Sequence, residues 1–220
     1  MTRESTAGPQ QAYLCLLGAF LIIVGIIWRI RVLYLEEQKK SQTESPTGLL
    51  GTTQVLCRLL RCKKGLAPAD NDNRLRITIH RVTLEPNAHG GEAQQVLPYV
   101  GGEGGPSGRT FSIKSGIIGQ VTRTKKPYSD SRQTEAYSDY AKELVEKWSY
   151  TYDEARKITS DRKSWMAVPI VSKPSTAESG IVIGVLYLDS NDADFFTTDI
   201  QEFVVAGSEG IKEYIEEVFA

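Results

Sequence analysis

Two apolar, β-branched runs lie close together in the chain and constrain its fold more than any other feature. They are Ser164-Trp-Met-Ala-Val-Pro-Ile-Val-Ser172 and Ser179-Gly-Ile-Val-Ile-Gly-Val-Leu-Tyr-Leu-Asp189. With only the polar stretch from Lys173 to Ser179 between them, they read as neighbouring antiparallel strands of one hairpin. Ile181 to Leu188 is apolar at nearly every position, so both faces of that strand must be covered. A small domain does this at the centre of its sheet. Pro169 lacks a ladder donor, and an irregularity is expected beside it.

The N-terminal part sets a second constraint. No charge occurs from Ala12 to Trp28, and the apolar character continues to Leu35. Some 24 residues of helix span ~36 Å, against a hydrocarbon thickness of ~30 Å. Arg29 and Arg31 fall near the end, where they can snorkel to headgroups. No small-x-small cleavage site follows. A single uncleaved transmembrane helix over residues 12–35 is therefore expected, in contact with the lipid bilayer. Arg29 and Arg31 lie at its C-terminal end and Lys39 and Lys40 follow it, whereas only Arg3 and the amino terminus precede it, which places the C-terminal part in the cytoplasm. Residues 1–11 read as disordered, and residues 36–51, with Ser45-Pro-Thr-Gly48, as a juxtamembrane linker.

The remainder, 52–220, is long enough for one solid core. A formal net charge of -1 supplies no field that would draw nucleic acid. The three cysteines, Cys15, Cys57 and Cys62, form neither a disulfide framework nor a zinc set. A helix is expected to start near Thr52, with Val55, Leu56, Leu59 and Leu60 inward and Arg58, Arg61, Lys63 and Lys64 wet. Arg74 to Val82 alternates Leu75, Ile77 and Ile79 against Arg76, Thr78 and His80, a half-buried strand, with Gln95 to Val100 as its partner. The glycine-rich stretch from Gly101 to Gly108 lacks the Lys-Ser/Thr and the helix of a phosphate loop, and reads as a hairpin loop.

Next come a short strand over Arg109–Lys114, a small helix started by Ser115, and an extended segment to Arg132. Gln133 to Asp161 is helical by propensity and broken at Ser149-Tyr-Thr151. Its Tyr137, Tyr140, Trp148, Tyr150 and Tyr152 are either anchors tying the segment to the sheet or a lid over a ligand. Thr198 and Gln201 fit a capping box for a last amphipathic helix carrying Ile200, Phe203, Val204, Ile211, Tyr214, Ile215 and Val218.

Ser115-Gly-Ile-Ile-Gly-Gln-Val, Lys126-Pro-Tyr-Ser-Asp130, Met166-Ala-Val-Pro-Ile170, Gly184-Val-Leu-Tyr-Leu188 and Phe195-Phe-Thr-Thr-Asp199 occur in an order and spacing that resemble a GAF domain, a relative of the PAS fold. The resemblance implies an α+β fold: a central antiparallel sheet, N- and C-terminal helices on one face, and a small-molecule pocket on the other. It implies Phe111, Ile113, Tyr128, Asp130, Arg132, Trp165 and Ala167 as ligand-binding candidates. The Asn-Lys pair of cyclic-nucleotide-binding members is replaced here by Asp189-Ser190. No cysteine lies beyond Lys63 to serve a tetrapyrrole or a sulfoxide reductase of this fold.

No catalytic set stands out. His80 and His89 are the only histidines, and no Gly-x-Ser-x-Gly elbow presents a nucleophile. Asp189, Asp192 and Asp194 lack calcium-loop spacing and read as a solvated turn. The chain is expected to be a membrane-anchored, non-catalytic regulatory module. It would sense a small ligand or a partner protein and act as a homodimer or through a separate signalling partner; no cofactor is identified. Two alternatives stay open: a structural or dimerisation domain whose pocket is filled by its own side chains, and a membrane-perturbing effector gated by a second messenger.

Overall fold

The computed structural model describes residues 24–25, 27–29, 31, 47–67, 73–83, 91–102, 107–158, 161–172 and 180–219. Contacts divide the chain into two units, Met1–Glu44 and Ser45–Ala220. In the first, Val24, Gly25, Ile27, Trp28, Arg29 and Arg31 are helical, and Val24, Ile27 and Trp28 are exposed. The rest of the span expected over 12–35, like the expected disorder over 1–11, lies outside the described residues. Among the described residues no helix is long and apolar enough to cross a membrane.

The second unit runs α1 (Thr47–Lys63), β1 (Leu75–Thr83), β2 (Glu92–Gln95), β3 (Thr110–Ser112), α2 (Gly116–Thr124), β4 (Tyr128–Ser131), α3 (Tyr137–Trp148), α4 (Tyr152–Ala155), β5 (Ser164–Ser172), β6 (Ile181–Ser190) and α5 (Thr198–Phe219). Six strands form one sheet in the order β3-β2-β1-β6-β5-β4, every neighbouring pair antiparallel. The unit is thus an α+β domain with a six-stranded antiparallel sheet. The expected hairpin is β5–β6, and the doubly covered β6 sits at the sheet centre. The expected irregularity falls one residue past Pro169, between Ile170 and Val171.

On one face α1 and α5 cover the sheet. Leu56, Cys57 and Leu60 of α1 and Ile200, Val204, Ile211 and Ile215 of α5 pack on alternate strand residues: Leu75, Ile77 and Ile79, Met166, Val168 and Ile170, Leu186 and Leu188. This is the period-2 face of three adjacent strands, buried by helical stripes of period 3.6. A second apolar cluster lies on the opposite face, where α2 and α3 pack Ile117, Val121, Tyr140, Leu144 and Trp148 against Trp165, Ala167 and Val185.

Several expectations need correction. The helix expected near Thr52 starts at Thr47, because Leu49 is fully buried and already belongs to the core. Arg61 is buried rather than wet: its Nε and Nη2 donate to the Ala67 carbonyl, capping the chain where it leaves the helix. Val55 and Leu59 are exposed. The partner of β1 is Glu92–Gln95, and Val100 makes only an isolated bridge to Ile77. The Thr198–Gln201 capping box is not made. The Thr197 hydroxyl donates to Asp199, and the Gln201 side chain donates to the Phe196 carbonyl. β1 is not half-exposed, since Thr78 and His80 are as buried as the residues between them.

Candidate functional site

The same alternation that buries Ile77, Ile79, Leu186 and Leu188 under the terminal helices turns Arg76 and His80 of β1, Tyr187 and Asp189 of β6, and Trp165 of β5 to the other side. Between that face and the excursion carrying α2 and α3 lies a cavity of about 350 Å³. Phe111, Tyr140, Trp148, Tyr150, Trp165 and Tyr187 make much of its wall, with Ile117, Ile118, Leu144 and Ile158 filling between them. The aromatic rings brace one another: Trp165 lies 6.3 Å from Trp148 and 6.2 Å from Tyr140, centroid to centroid.

The charges are arranged in two tiers. Deep in the cavity, Asp189 is 1% exposed and faces Arg76, its register partner on β1. Nε and Nη2 of Arg76 both donate to it, at 2.8 Å each, a fork-to-fork pair. Nε of the buried Arg162 approaches the same carboxylate at 3.4 Å, while its Nη1 donates to the Asn73 carbonyl at 2.6 Å. Burial works against the Arg76 charge, but the hydrogen bond and charge of Asp189 outweigh it and hold the guanidinium firmly protonated. Further out, Arg109 and Lys157 are exposed lining residues. Arg109 is placed by Gln95, whose Oε1 accepts from its Nε at 2.9 Å, and by the rings of Tyr99 and Phe111. Four cationic side chains thus line the cavity against one carboxylate.

His80 lies between the rings of Phe111 and Tyr187, edge-on to both at centroid distances of 5.3 and 5.9 Å. It is 1% exposed, and neither ring nitrogen has a hydrogen-bond partner among the described residues. Burial, and then the charge of Arg109, lower its pKa to about 3. Burial likewise raises Tyr187 well above the ordinary phenol value, and Tyr150 to about 12, so these hydroxyls stay protonated.

A pH dependence follows. His80 is neutral in the fold between about pH 3 and 6.5 but takes up a proton there once the chain unfolds. The unfolded state then binds more protons, so stability falls as pH drops below about 6.5. Urea unfolding at pH 7.0 and pH 5.0 is expected to show this loss in the native chain, with His80→Leu giving a flatter profile over the same window. An unchanged profile in the variant would refute a buried, neutral His80.

Of the seven candidates read from the sequence, Phe111 and Trp165 line the cavity. Ile113 and Ala167 are buried in the surrounding apolar cluster. Tyr128 packs edge-on against Trp148, its ring 5.6 Å away, and does not line the cavity. Asp130 pairs with Lys147 at 2.5 Å. Arg132 donates to the Glu135 carbonyl at 2.5 Å and to that of Thr134, and lies over the Tyr140 ring. The last two hold the excursion and do not reach the site. Of the five excursion aromatics, Tyr140, Trp148 and Tyr150 line the cavity, whereas Tyr137 donates to the Arg156 carbonyl and Tyr152 is exposed.

The sequence pattern does not single out Arg76, His80, Tyr99, Arg109, Lys157, Arg162, Tyr187 or Asp189 for this cavity. For Arg76 and His80 the alternation in β1 is a signal, but a polar alternate face taken by itself reads as wet. The solvated turn expected for Asp189, Asp192 and Asp194 holds for the exposed Asp192 and Asp194 and not for the buried Asp189.

Two glycines let the excursion close on itself. Gly116 has φ +71°, and a Cβ there would meet the Tyr150 hydroxyl at 2.1 Å. A Cβ on Gly119 would lie 2.4 Å from the Ile113 carbonyl oxygen.

No family model and no curated protein matches the sequence. Among solved structures, the chain is similar to a type II free methionine-R-sulfoxide reductase from Thermoplasma acidophilum, at 13% identity and a TM-score of 0.48, covering 78% of this chain and 94% of that one. It is also similar to the GAF domain of an Acinetobacter phosphoenolpyruvate-protein phosphotransferase, at 14% identity and 0.43, covering 73% and 80%. A third is the reduced form of fRMsr of Staphylococcus aureus, at 19% identity and 0.41, covering 64% and 71%.

Proposed function

We propose that this chain is a GAF-like, non-catalytic sensor that binds a small anionic molecule in the cavity between the sheet and α2–α3. The observation that carries the reading is an aromatic-walled space of about 350 Å³ with four cations and one carboxylate on its lining. That volume lies within the range of ordinary small-ligand sites, roughly 300–1,000 Å³. A purely structural domain would be expected to fill such a space with its own side chains. Asp189 already compensates the inner arginines, which leaves Arg109 and Lys157 facing outward for a ligand anion.

In this proposal residues 12–35 hold the domain at the inner membrane leaflet. The apolar sequence and the exposure of Val24, Ile27 and Trp28 support that placement. Output then passes by contact with a second copy or a signalling partner.

The test is thermal unfolding of the full chain in mild detergent against a panel of small organic anions. A ligand at a hundred times its Kd adds about 2.7 kcal/mol to the folded state and raises Tm accordingly. Arg109→Ala is expected to weaken that ligand about 10- to 100-fold by titration calorimetry, since a hydrogen bond to a charged group contributes roughly 1.5–3 kcal/mol. A panel without a single shift would sink the sensor reading.

A further inference from the structure

We infer that the occupant of the cavity carries an aromatic ring with a polar, hydrogen-bonding edge, and that His80 is the residue that reads that edge while the anionic substituent points to Arg109 and Lys157. The inference rests on the proposed ligand-binding role and adds to it the class of ligand and the residue that selects it.

Most buried polar groups of this cavity have a partner inside the protein; among the described lining residues Trp148 Nε1 and Arg162 Nε lack a hydrogen bond, and His80 lacks one at both of its nitrogens. Asp189 takes both donors of Arg76, Arg162 holds the Asn73 carbonyl, and Gln95 takes Arg109 and itself donates to the Leu97 carbonyl at 2.8 Å. Thr78, two residues before His80 on the same face, donates to that same carbonyl at 2.8 Å. His80 departs from this pattern. A neutral imidazole has one donor and one acceptor, and both nitrogens lack a partner among the described residues although the side chain is buried. Leaving such a group unsatisfied is costly, so a buried orphan in a binding cavity calls for a ligand atom.

The surroundings say what kind of atom. Phe111 and Tyr187 clasp the imidazole edge-on and hold its plane, so it is not free to swing toward another protein group. The Trp148, Tyr150 and Trp165 rings line the space and offer faces and edges against which an aromatic ring can pack. Arg109 lies over the Phe111 ring at 5.7 Å from its centroid, and that ring lies 5.3 Å from His80, so Phe111 stands between the cationic rim and the imidazole. A planar ring with a nitrogen or carbonyl on one edge and an anionic group on the other satisfies both ends. Nucleotides and heteroaromatic carboxylates share that chemistry.

The experiment compares matched probes on the full chain by titration calorimetry. Benzimidazole-5-carboxylate and 2-naphthoate share a flat bicyclic body and a carboxylate, but only the first has ring nitrogens. Inosine 5′-monophosphate supplies the phosphate arm, and its affinity relative to the benzimidazole tells a nucleotide from a carboxylate source. The polar-edged probes are expected to bind about tenfold or more tightly than 2-naphthoate. In His80→Phe this preference should fall to within about twofold, whereas His80→Gln, which keeps a donor and an acceptor, should preserve it.

Equal affinities in the native chain, or a preference that survives His80→Phe, would overturn the role of His80 and leave the sensor reading in place. Failure of all three probes to bind overturns the inference about the ligand, while the panel of anions alone decides the sensor reading. Should His80→Phe fail to fold, imidazole ¹⁵N resonances decide the matter without it. The chain has only His80 and His89, so a shift of the His80 nitrogens with the benzimidazole but not with 2-naphthoate supports the inference. Its absence overturns it.

Discussion

Asp189→Ala is expected to remove about 3–5 kcal/mol from the stability of the domain, measured by urea unfolding followed by circular dichroism at pH 7. The carboxylate is 2% exposed at its side chain and is shared by Arg76 and Arg162. Its loss leaves Arg76 without its carboxylate partner and Arg162 with only the exposed Asp161, 3.2 Å from its Nη2, and an uncompensated buried charge costs that much in comparable cases. The effect comes from stranding the cations more than from any net attraction within the triad. Removing all three charges together, with Arg76→Met and Arg162→Met added to Asp189→Leu, should therefore recover most of the loss. If the single variant loses less than 1 kcal/mol, the network does not order the cavity floor. If the triple variant is no better than the single, the cost lies in packing, not charge.

Trp165→Ala is expected to be equally severe, about 3–5 kcal/mol, with a different signature. Trp165 stands on β5 directly between Asp130 of β4 and Asp189 of β6, and its ring meets both Trp148 and Tyr140 of α3. It is the sheet-side contact on which the excursion rests. Truncation should free α3 first, so amide exchange ought to accelerate across Tyr137–Trp148 more than in β1 or β6, whose other face still packs against α1 and α5. A uniform loss of protection would show instead that the two apolar clusters unfold as one unit.

The two predictions separate the parts of this domain that are readable from local pattern from those that are not. The β5–β6 hairpin, the break in the excursion at Ser149 and the amphipathic α5 follow from apolar periodicity and chain connectivity. Each signal lies within some twenty residues, and the structure carries all three. The cavity is different. Of the candidates read on family resemblance only Phe111 and Trp165 line it, because the others, such as Asp130 and Arg132, spend their charges on pinning the excursion in place.

What the sequence by itself determined was the order of elements, the central position of β6, and the alternation in β1 that sets Arg76 and His80 on one side. Only the tertiary structure decided which of those sides is dry. A period-2 pattern reports that two faces differ, and a polar face normally means water. Here α2 and α3 come to cover it, and the antiparallel register then brings Asp189 opposite Arg76, 113 residues away in the chain. That pairing turns two charges that look solvent-exposed into the floor of the cavity. It depends on a strand register and a covering layer that no local stretch of sequence encodes.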